Sequence, residues 1–357
     1  MKKKLEALET YRAFAALMIA AIHFNLNTPI VDHFLATGIF VPFFFTLSGF
    51  VIYYNYHDKI NNFKQLKNFT KKRFFRLYPL HLFFLIIFLL IEFLRYVAEI
   101  KFGINSNIEP FKINNFFAFL SNITLTQTFL DLNTFNTPSW SISAEFYTYL
   151  FFGVFLIYRF KNLFLVFIVI ILMFRLNNDG SLGPSSTYLS FIDCVYCFLI
   201  GVLFCKIYFK YYTNENFNTL SPTLSIIFII LSIFSIKYLN GKLTFFIPFI
   251  FGSLILFSSN LNKEKVIGRF ICNNFFVYLG KISYSIYLSH LFVFWFVTQI
   301  LRFIFKINTY TESQTGYIKL DLDVYSSSLI VIICYILTIM MSVLTYKFIE
   351  MKFYKKG

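Results

Sequence analysis

A chain of 357 residues that is 58% hydrophobic and only 14% charged is not a soluble domain, since those carry about 25% charged residues. Its net charge of +15 invites a nucleic-acid reading, yet the basic residues form no polar module of their own. They fall between apolar runs, where orientation in a membrane accounts for them, which leaves a polytopic membrane protein and no nucleic-acid partner.

The opening MKKK superficially resembles the start of a signal peptide. No small-residue cleavage pattern follows it and many further apolar runs do, so the first segment reads as a retained span. That span covers 9–28 and the second covers 37–54. Between them Asp32 and His33 stand in a short outer loop, His33 as a solvated residue. A basic loop from His57 to Arg76 leads into the third span, 77–98. A long polar loop, 99–137, precedes the fourth, which starts near Ser139 and ends before Arg159.

The fifth is 163–176, the sixth 188–205, the seventh 223–238 and the eighth 244–259. The ninth, 275–304, is too long unless tilted or broken. The tenth is 325–346, before a charged tail. Ten spans place both termini on one side. Assigned to the cytoplasm, that side holds most of the Lys and Arg, as orientation by positive charge requires. The expected fold is therefore all-α, with about ten transmembrane helices and both termini cytoplasmic. It forms a single integral-membrane domain over 1–357, with no internal repeat and no appended soluble domain.

The five cysteines lie in or near apolar runs. Cys194 and Cys197 form a CxxC, but no second pair or nearby His completes a metal site, and burial as small hydrophobes is the simpler reading. No metal is expected.

Chemistry is concentrated in five stretches. In the first span Arg12 and His23 lie almost three helical turns apart, on one face and about 16 Å apart along the axis. An ionisable residue inside a span is costly unless it faces protein or a cavity. A neutral imidazole there can serve as a general base for a hydroxyl. Arg12 either contributes to that site or snorkels to the inner interface. The second span carries FVPFFFTLSGFVI, in which Ser48 and Gly49 permit close helix approach or a local opening.

The third stretch, KKRFFRLYPLH, sets Arg73 and Arg76 one turn apart beside Lys71 and Lys72. Paired arginines against aromatics suit a bidentate grip on phosphate, and anionic lipid explains the lysines equally well. The fourth, NTPSWSISAEFYTYLFFG, starts a helix at Pro138 and Ser139 and buries Glu145 two turns in. That carboxylate needs a partner: Arg12, His23 or a substrate hydroxyl. Trp140 at its entry has the character of an interfacial anchor. In the fifth, LGKISYSIYLSHLFVFW, the polar groups Ser283, Tyr284, Tyr287 and His290 share one helix face. His290 either orients substrate or bonds a neighbouring helix.

These five stretches, in this order, resemble the membrane-bound acyltransferase-3 family, integral-membrane O-acyltransferases that decorate bacterial polysaccharides. The family's Arg, ten residues, then His is matched by Arg12 and His23. Its FF..SGF signature is matched by Phe44, Phe45, Ser48, Gly49 and Phe50. Its RxxRlyP stretch is matched by Arg73, Arg76, Leu77, Tyr78 and Pro79. The W-S-(L/I)-S-x-E-F element is matched by Trp140, Ser141, Ser143, Glu145 and Phe146, and the last element by Ser283 to His290. Each motif alone is weak, but five in order across nearly the whole chain are specific.

The resemblance implies transfer of an acyl group, acetyl from cytoplasmic acetyl-CoA, to a carbohydrate hydroxyl at or beyond the outer face of a bacterial cytoplasmic membrane. It implies His23 as catalytic residue, with Glu145 and Arg12 supporting it. Arg73, Arg76, Lys72 and Tyr78 would hold the donor, and Ser48, Trp140, Tyr287 and His290 the substrate. Two departures stand out: Glu9, Thr10 and Tyr11 separate LEAL from Arg12, where the family often reads L-R-x-x-A, and no C-terminal esterase-like domain is expected.

A structural or sensor protein would leave three deep ionisable residues buried without purpose, and two other functions share the buried charges. A carrier or flippase for a lipid-linked or acyl compound would use them without making a bond, but the paired broken spans of many carriers are not found here. The same enzyme class with another acceptor or acyl donor is the second.

Overall fold

The computed structural model describes residues 4–24, 26, 28, 39–104, 108–158, 163–177, 180–182, 188–261, 263–311 and 318–354. The expected outer-loop pair Asp32 and His33 lies outside these residues.

Helix α1 (Glu6–His23) opens the chain and α2 (Phe40–Tyr56) follows. Next comes a single 40-residue helix, α3 (Phe63–Phe102), capped at its start by Asn62 and closed by Gly103 at φ +63°. The segment expected to be a basic loop is thus largely the first half of this helix. The reason is local: no Gly or Pro interrupts Phe63–Tyr78, and Lys, Arg, Gln and Leu are strong helix formers. A helix of that length spans about 60 Å, twice a bilayer's hydrocarbon thickness. Its Lys-rich half therefore projects beyond the hydrocarbon.

The expected loop 99–137 also contains structure. Short helices α4 (Phe116–Thr124) and α5 (Gln127–Leu130) lead to a 3₁₀ turn over Thr137–Ser139 that enters α6 (Trp140–Ile157). Then follow α7 (Phe164–Asn177), α8 (Tyr188–Tyr211), α9 (Glu215–Tyr238) and α10 (Ile247–Ser258).

After the short α11 (Val266–Ile271), the overlong ninth span is broken, one of the two arrangements its length allowed. It divides at Ile282 into α12 (Asn274–Lys281) and α13 (Ser283–Phe303). The α12 side of the break lies tight on α1, where a Cβ on Gly280 would come within 2.0 Å of the Glu9 carbonyl oxygen. A two-stranded antiparallel hairpin, β1 (Thr309–Thr311) with β2 (Ile318–Leu320), precedes α14 (Val324–Thr345). A π-helical turn, Tyr346–Glu350, then runs into α15 (Met351–Tyr354).

Among the described residues, seven helical stretches are long and apolar enough to cross a membrane by length and composition. They are α3, Thr137–Ile157, α8, α9, Gly241–Ser258, α13 and Val324–Tyr354. Three other expected spans coincide with helices outside that group. Helix α1 carries Glu6, Glu9 and Arg12 in its 18 residues, while α2 and α7 have 17 and 14 residues.

Packing centres on α8, whose stretch Asp193–Val202 is buried throughout and lies against α2. The two backbones meet through glycine on both sides. A Cβ on Gly49 would come within 1.9 Å of the Phe198 carbonyl oxygen, and one on Gly201 within 1.9 Å of that of Thr46. Small residues at a crossing let membrane helices gain dispersion contact where lipid offers no hydrophobic drive. Ser48–Gly49 is thus a close-approach site, one of the two roles its sequence allowed. A second apolar cluster, including Ala20, Phe24, Val293 and Cys334, joins α1, α13 and α14. It holds the end of α1 that carries His23.

Candidate active site

Helices α1, α2, α3, α6 and α13, with the C-terminal α15, enclose a cavity of about 580 Å³. That falls within the range of small-molecule sites, about 300–1,000 Å³. Its exposed lining residues include Lys59, Lys72 and Lys281, which mark the mouth; buried Ser141, Ile142 and Tyr287 mark the floor. Six cationic side chains line it, Arg12, Lys59, Lys72, Arg73, Arg76 and Lys281, against the carboxylates of Glu9 and Glu145. Low-dielectric walls with one dominant sign of charge focus field lines and concentrate anions.

The two arginines of the third motif differ in their commitments. Arg73 donates to the Tyr56 hydroxyl at 3.2 Å, and its guanidinium lies 5.4 Å from the Tyr56 ring centre and 5.8 Å from that of Phe69. Its Nε is buried and has no hydrogen-bond partner among the described residues. A guanidinium held between aromatics on the cavity lining suits recognition of a planar or phosphate oxyanion. Arg76 instead donates to Glu350, which is 1% exposed, and its guanidinium lies 5.7 Å from the Tyr354 ring centre. Glu350 also accepts from Ser285 at 3.0 Å. Arg76 lines the cavity with its charge already balanced.

Deeper in, Glu145 and Tyr149 lie four residues apart on α6 and so share a face. The Ser48 hydroxyl donates to Glu145 at 2.7 Å, Tyr149 donates to the same carboxylate oxygen, and the two hydroxyls lie 2.8 Å apart. Here a carboxylate that the sequence left needing a partner takes its hydrogen bonds from two hydroxyls. At the floor, the Tyr287 hydroxyl lies 2.8 Å from that of Ser141 and donates to the Pro138 carbonyl at 2.9 Å.

His23 and His290 stand beyond that floor and do not line the cavity; the ring centre of Tyr287 is 6.2 Å from that of His290. His290 Nδ1 faces the Ile286 carbonyl at 3.2 Å, and its Nε2 faces His23 Nδ1 at 3.2 Å. His23 Nδ1 in turn faces the Ile19 carbonyl at 2.9 Å. The protons follow from these partners. A carbonyl only accepts, so Nδ1 carries the hydrogen in both rings, and His290 Nε2 is left as an acceptor. His23 Nε2 then holds a lone pair, and it has no hydrogen-bond partner among the described residues. That is the atom of a base or a nucleophile.

The structure thus brings Arg12, Ser48, Lys72, Arg73, Arg76, Glu145 and Tyr287 onto one cavity wall and sets His23 with His290 next to its floor. Arg12 remains paired with Glu9 at 3.3 Å. Tyr78 lies off the wall, stacked on Phe74 with ring centres 4.4 Å apart. Trp140 is not an interfacial anchor: it is 8% exposed, packs edge-on against Phe45, and its carbonyl accepts from Thr128. A contact between His23 and Glu145 was an open possibility, but each has a different partner here. Tyr56, Tyr149 and Glu350 escaped the sequence reading. Only Tyr149 was signalled, by its spacing from Glu145.

A family model described as an acyltransferase domain matches residues 5–347. The chain is 31% identical over 160 residues to Acyltransferase MdmB of Streptomyces mycarofaciens. The match covers 41% of this chain and spans 38% of that protein's length. No solved structure matches.

Proposed function

The chain belongs to the acyltransferase-3 family, and on that premise we propose that it is an O-acyltransferase. It moves acetyl from cytoplasmic acetyl-CoA to a hydroxyl of a cell-surface or lipid-linked polysaccharide, with His23 as the catalytic residue. The observation that carries this reading is the cavity: a mouth rich in cations leads inward to a floor that adjoins an imidazole with a free lone pair.

In this reading ten helices cross a bacterial cytoplasmic membrane with both termini in the cytoplasm, and the basic mouth faces the donor. Arg73, Lys72 and Lys59 take the donor's phosphates; Arg73 brings a guanidinium on the cavity lining and the lysines add point charges. The flexible arm of the donor runs past Glu145 and Tyr149 toward Tyr287. There the thioester carbonyl meets the hydroxyls of Ser141 and Tyr287. These share one carbonyl acceptor, so one hydroxyl can turn to the developing oxyanion while the other keeps Pro138.

As a base, His23 Nε2 takes the proton of the acceptor hydroxyl while that oxygen bonds the acyl carbon and the carbon–sulfur bond breaks. The proton passes to the leaving thiolate. As a nucleophile, Nε2 bonds the acyl carbon and the carbon–sulfur bond breaks to give the thiolate; the acceptor hydroxyl then displaces the imidazole, and its proton goes to the thiolate. Both routes end in one ester and one thiol.

The test is the purified full chain in lipid nanodiscs with radiolabelled acetyl-CoA and bacterial polysaccharide fractions, wild type beside His23→Ala. Label should enter carbohydrate in the wild type and fall by about 100-fold or more in the variant, the scale of acid–base catalysis. Labelled product unaffected by His23→Ala would refute the assignment. A well-folded wild type that binds no acetyl-CoA would point to a carrier.

A further inference from the structure

We infer that His290 is the positioning residue of His23, a neutral imidazole standing where many hydrolytic sites place a carboxylate. The inference rests on the catalytic role of His23 proposed above.

His290 is fully buried on α13, four residues after Ile286 on the same helix. Its bond to the Ile286 carbonyl fixes its own tautomer and aims Nε2 across the helix interface at His23. The ring centres are 5.0 Å apart and the planes tilted by 42°, a geometry that brings the two nitrogens to hydrogen-bond distance. The reverse polarity, with His290 donating from Nε2, would require a hydrogen on both of its nitrogens. That cation would be completely buried with no carboxylate among its described contacts, which is costly.

The Ile19 carbonyl already favours a hydrogen on His23 Nδ1, so the distinct contribution of His290 is orientation and charge. Ile19 belongs to the same helix as His23 and restrains the ring from one side only. The second acceptor comes from α13 and pins the ring against rotation, keeping Nε2 in one place. When His23 gains positive charge during transfer, the Nε2 lone pair of His290 faces the N–H that carries it. Such oriented second partners of a reactive histidine are worth about 10–100-fold in related settings.

The placement has a further consequence. His290 does not line the donor cavity, so its loss should leave donor binding intact.

The experiment compares wild type, His23→Ala, His290→Ala and His290→Gln in nanodiscs, with radiolabelled acetyl-CoA and the polysaccharide fraction that accepts label. Gln keeps a carbonyl that can accept from His23 Nδ1. His290→Ala should lower kcat by about 30-fold, with KM for acetyl-CoA changed less than about twofold. His290→Gln should recover most of the loss. With ¹⁵N-labelled histidine, the His23 signals should show Nε2 unprotonated in wild type and His290→Gln, and exchange between orientations in His290→Ala.

Full kcat in His290→Ala with His23→Ala inactive would overturn the inference and leave the proposed function standing. A raised KM at unchanged kcat would also overturn it and make His290 a substrate contact. An active His23→Ala would overturn the proposed function itself. Should His290→Ala fail to fold, His290→Met, of similar length but without a comparable acceptor, takes its place beside His290→Gln: unchanged kcat in His290→Met would overturn the positioning role.

Discussion

Arg76 and Glu350, 274 positions apart in the chain, form an ion pair in which the carboxylate is buried. The pair clamps α3 to the π-helical turn after α14, and through Ser285 to α13. A π turn inserts an extra residue into a helix and is enriched at functional sites. Here it closes the helix with Glu350 turned inward.

Removal of one partner from a buried pair strands the other charge, at a cost of about 3–5 kcal/mol. Arg76→Ala should therefore lower thermal stability sharply, and Arg76→Ala combined with Glu350→Gln should restore much of it. Thermal unfolding in detergent measures both. An Arg76→Ala protein as stable as wild type would show that the pair contributes little. Activity lost on removing Arg76 is thus not by itself a sign of phosphate contact.

Arg73 is the cleaner probe of the donor. Its guanidinium is braced by Tyr56 and Phe69 on the cavity lining, and no carboxylate pairs with it among the described residues. Hydrogen bonds to charged groups contribute about 1.5–3 kcal/mol, so Arg73→Ala should raise KM for acetyl-CoA about tenfold or more. Arg73→Lys should recover only part, because a single ammonium cannot form the fork. Steady-state kinetics across donor concentrations separates this from a loss of kcat, which would place Arg73 outside phosphate binding.

Gly49 and Gly201 should tolerate no side chain. A Cβ at either position would meet a main-chain carbonyl at 1.9 Å, and backbone in a packed helix pair has no rotamer with which to retreat. Overpacking of this kind costs about 1–3 kcal/mol and more where backbone must move. Gly49→Ala and Gly201→Ala are expected to lower the yield of monodisperse protein in size-exclusion chromatography. Gly241→Ala is a control for space, with nothing within 4 Å of its added Cβ, although its φ of +56° adds local strain.

Asp323 gives a pH signature at the start of α14. It caps α14 by accepting from the amides of Tyr325 and Ser326, and together with the Ser326 side chain these bonds hold its carboxyl below the ordinary value. A depressed folded-state pKa contributes stability that is present above the unfolded pKa and lost as pH falls through the folded one. The first turn of α14 should therefore fray only at strongly acidic pH. Asp323→Ala should fray it at neutral pH as well, seen as faster amide exchange at Ser326 and Ser327. Exchange unchanged by the substitution would show that the cap does not hold this turn.

Apolar runs of spanning length and interspersed charge placed this chain in a membrane as helices, because a bilayer leaves backbone polar groups no other economical partner. Motif residues such as Arg73, Ser48, Glu145 and Tyr287 were also visible, as polar groups set in apolar surroundings. Length alone flagged 275–304 as too long for one upright span, while the position of the break at Ile282 came from the structure. Partners were another matter. Local spacing relates residues three or four apart, which is why Tyr149 could be tied to Glu145, but it carries no information on which helices touch. Only tertiary structure joined Arg76 to Glu350, His23 to His290, and Gly49 to Phe198, because these contacts depend on the order and tilt of packed helices. It also turned the basic stretch from loop to helix, because unbroken backbone hydrogen bonding decided its shape.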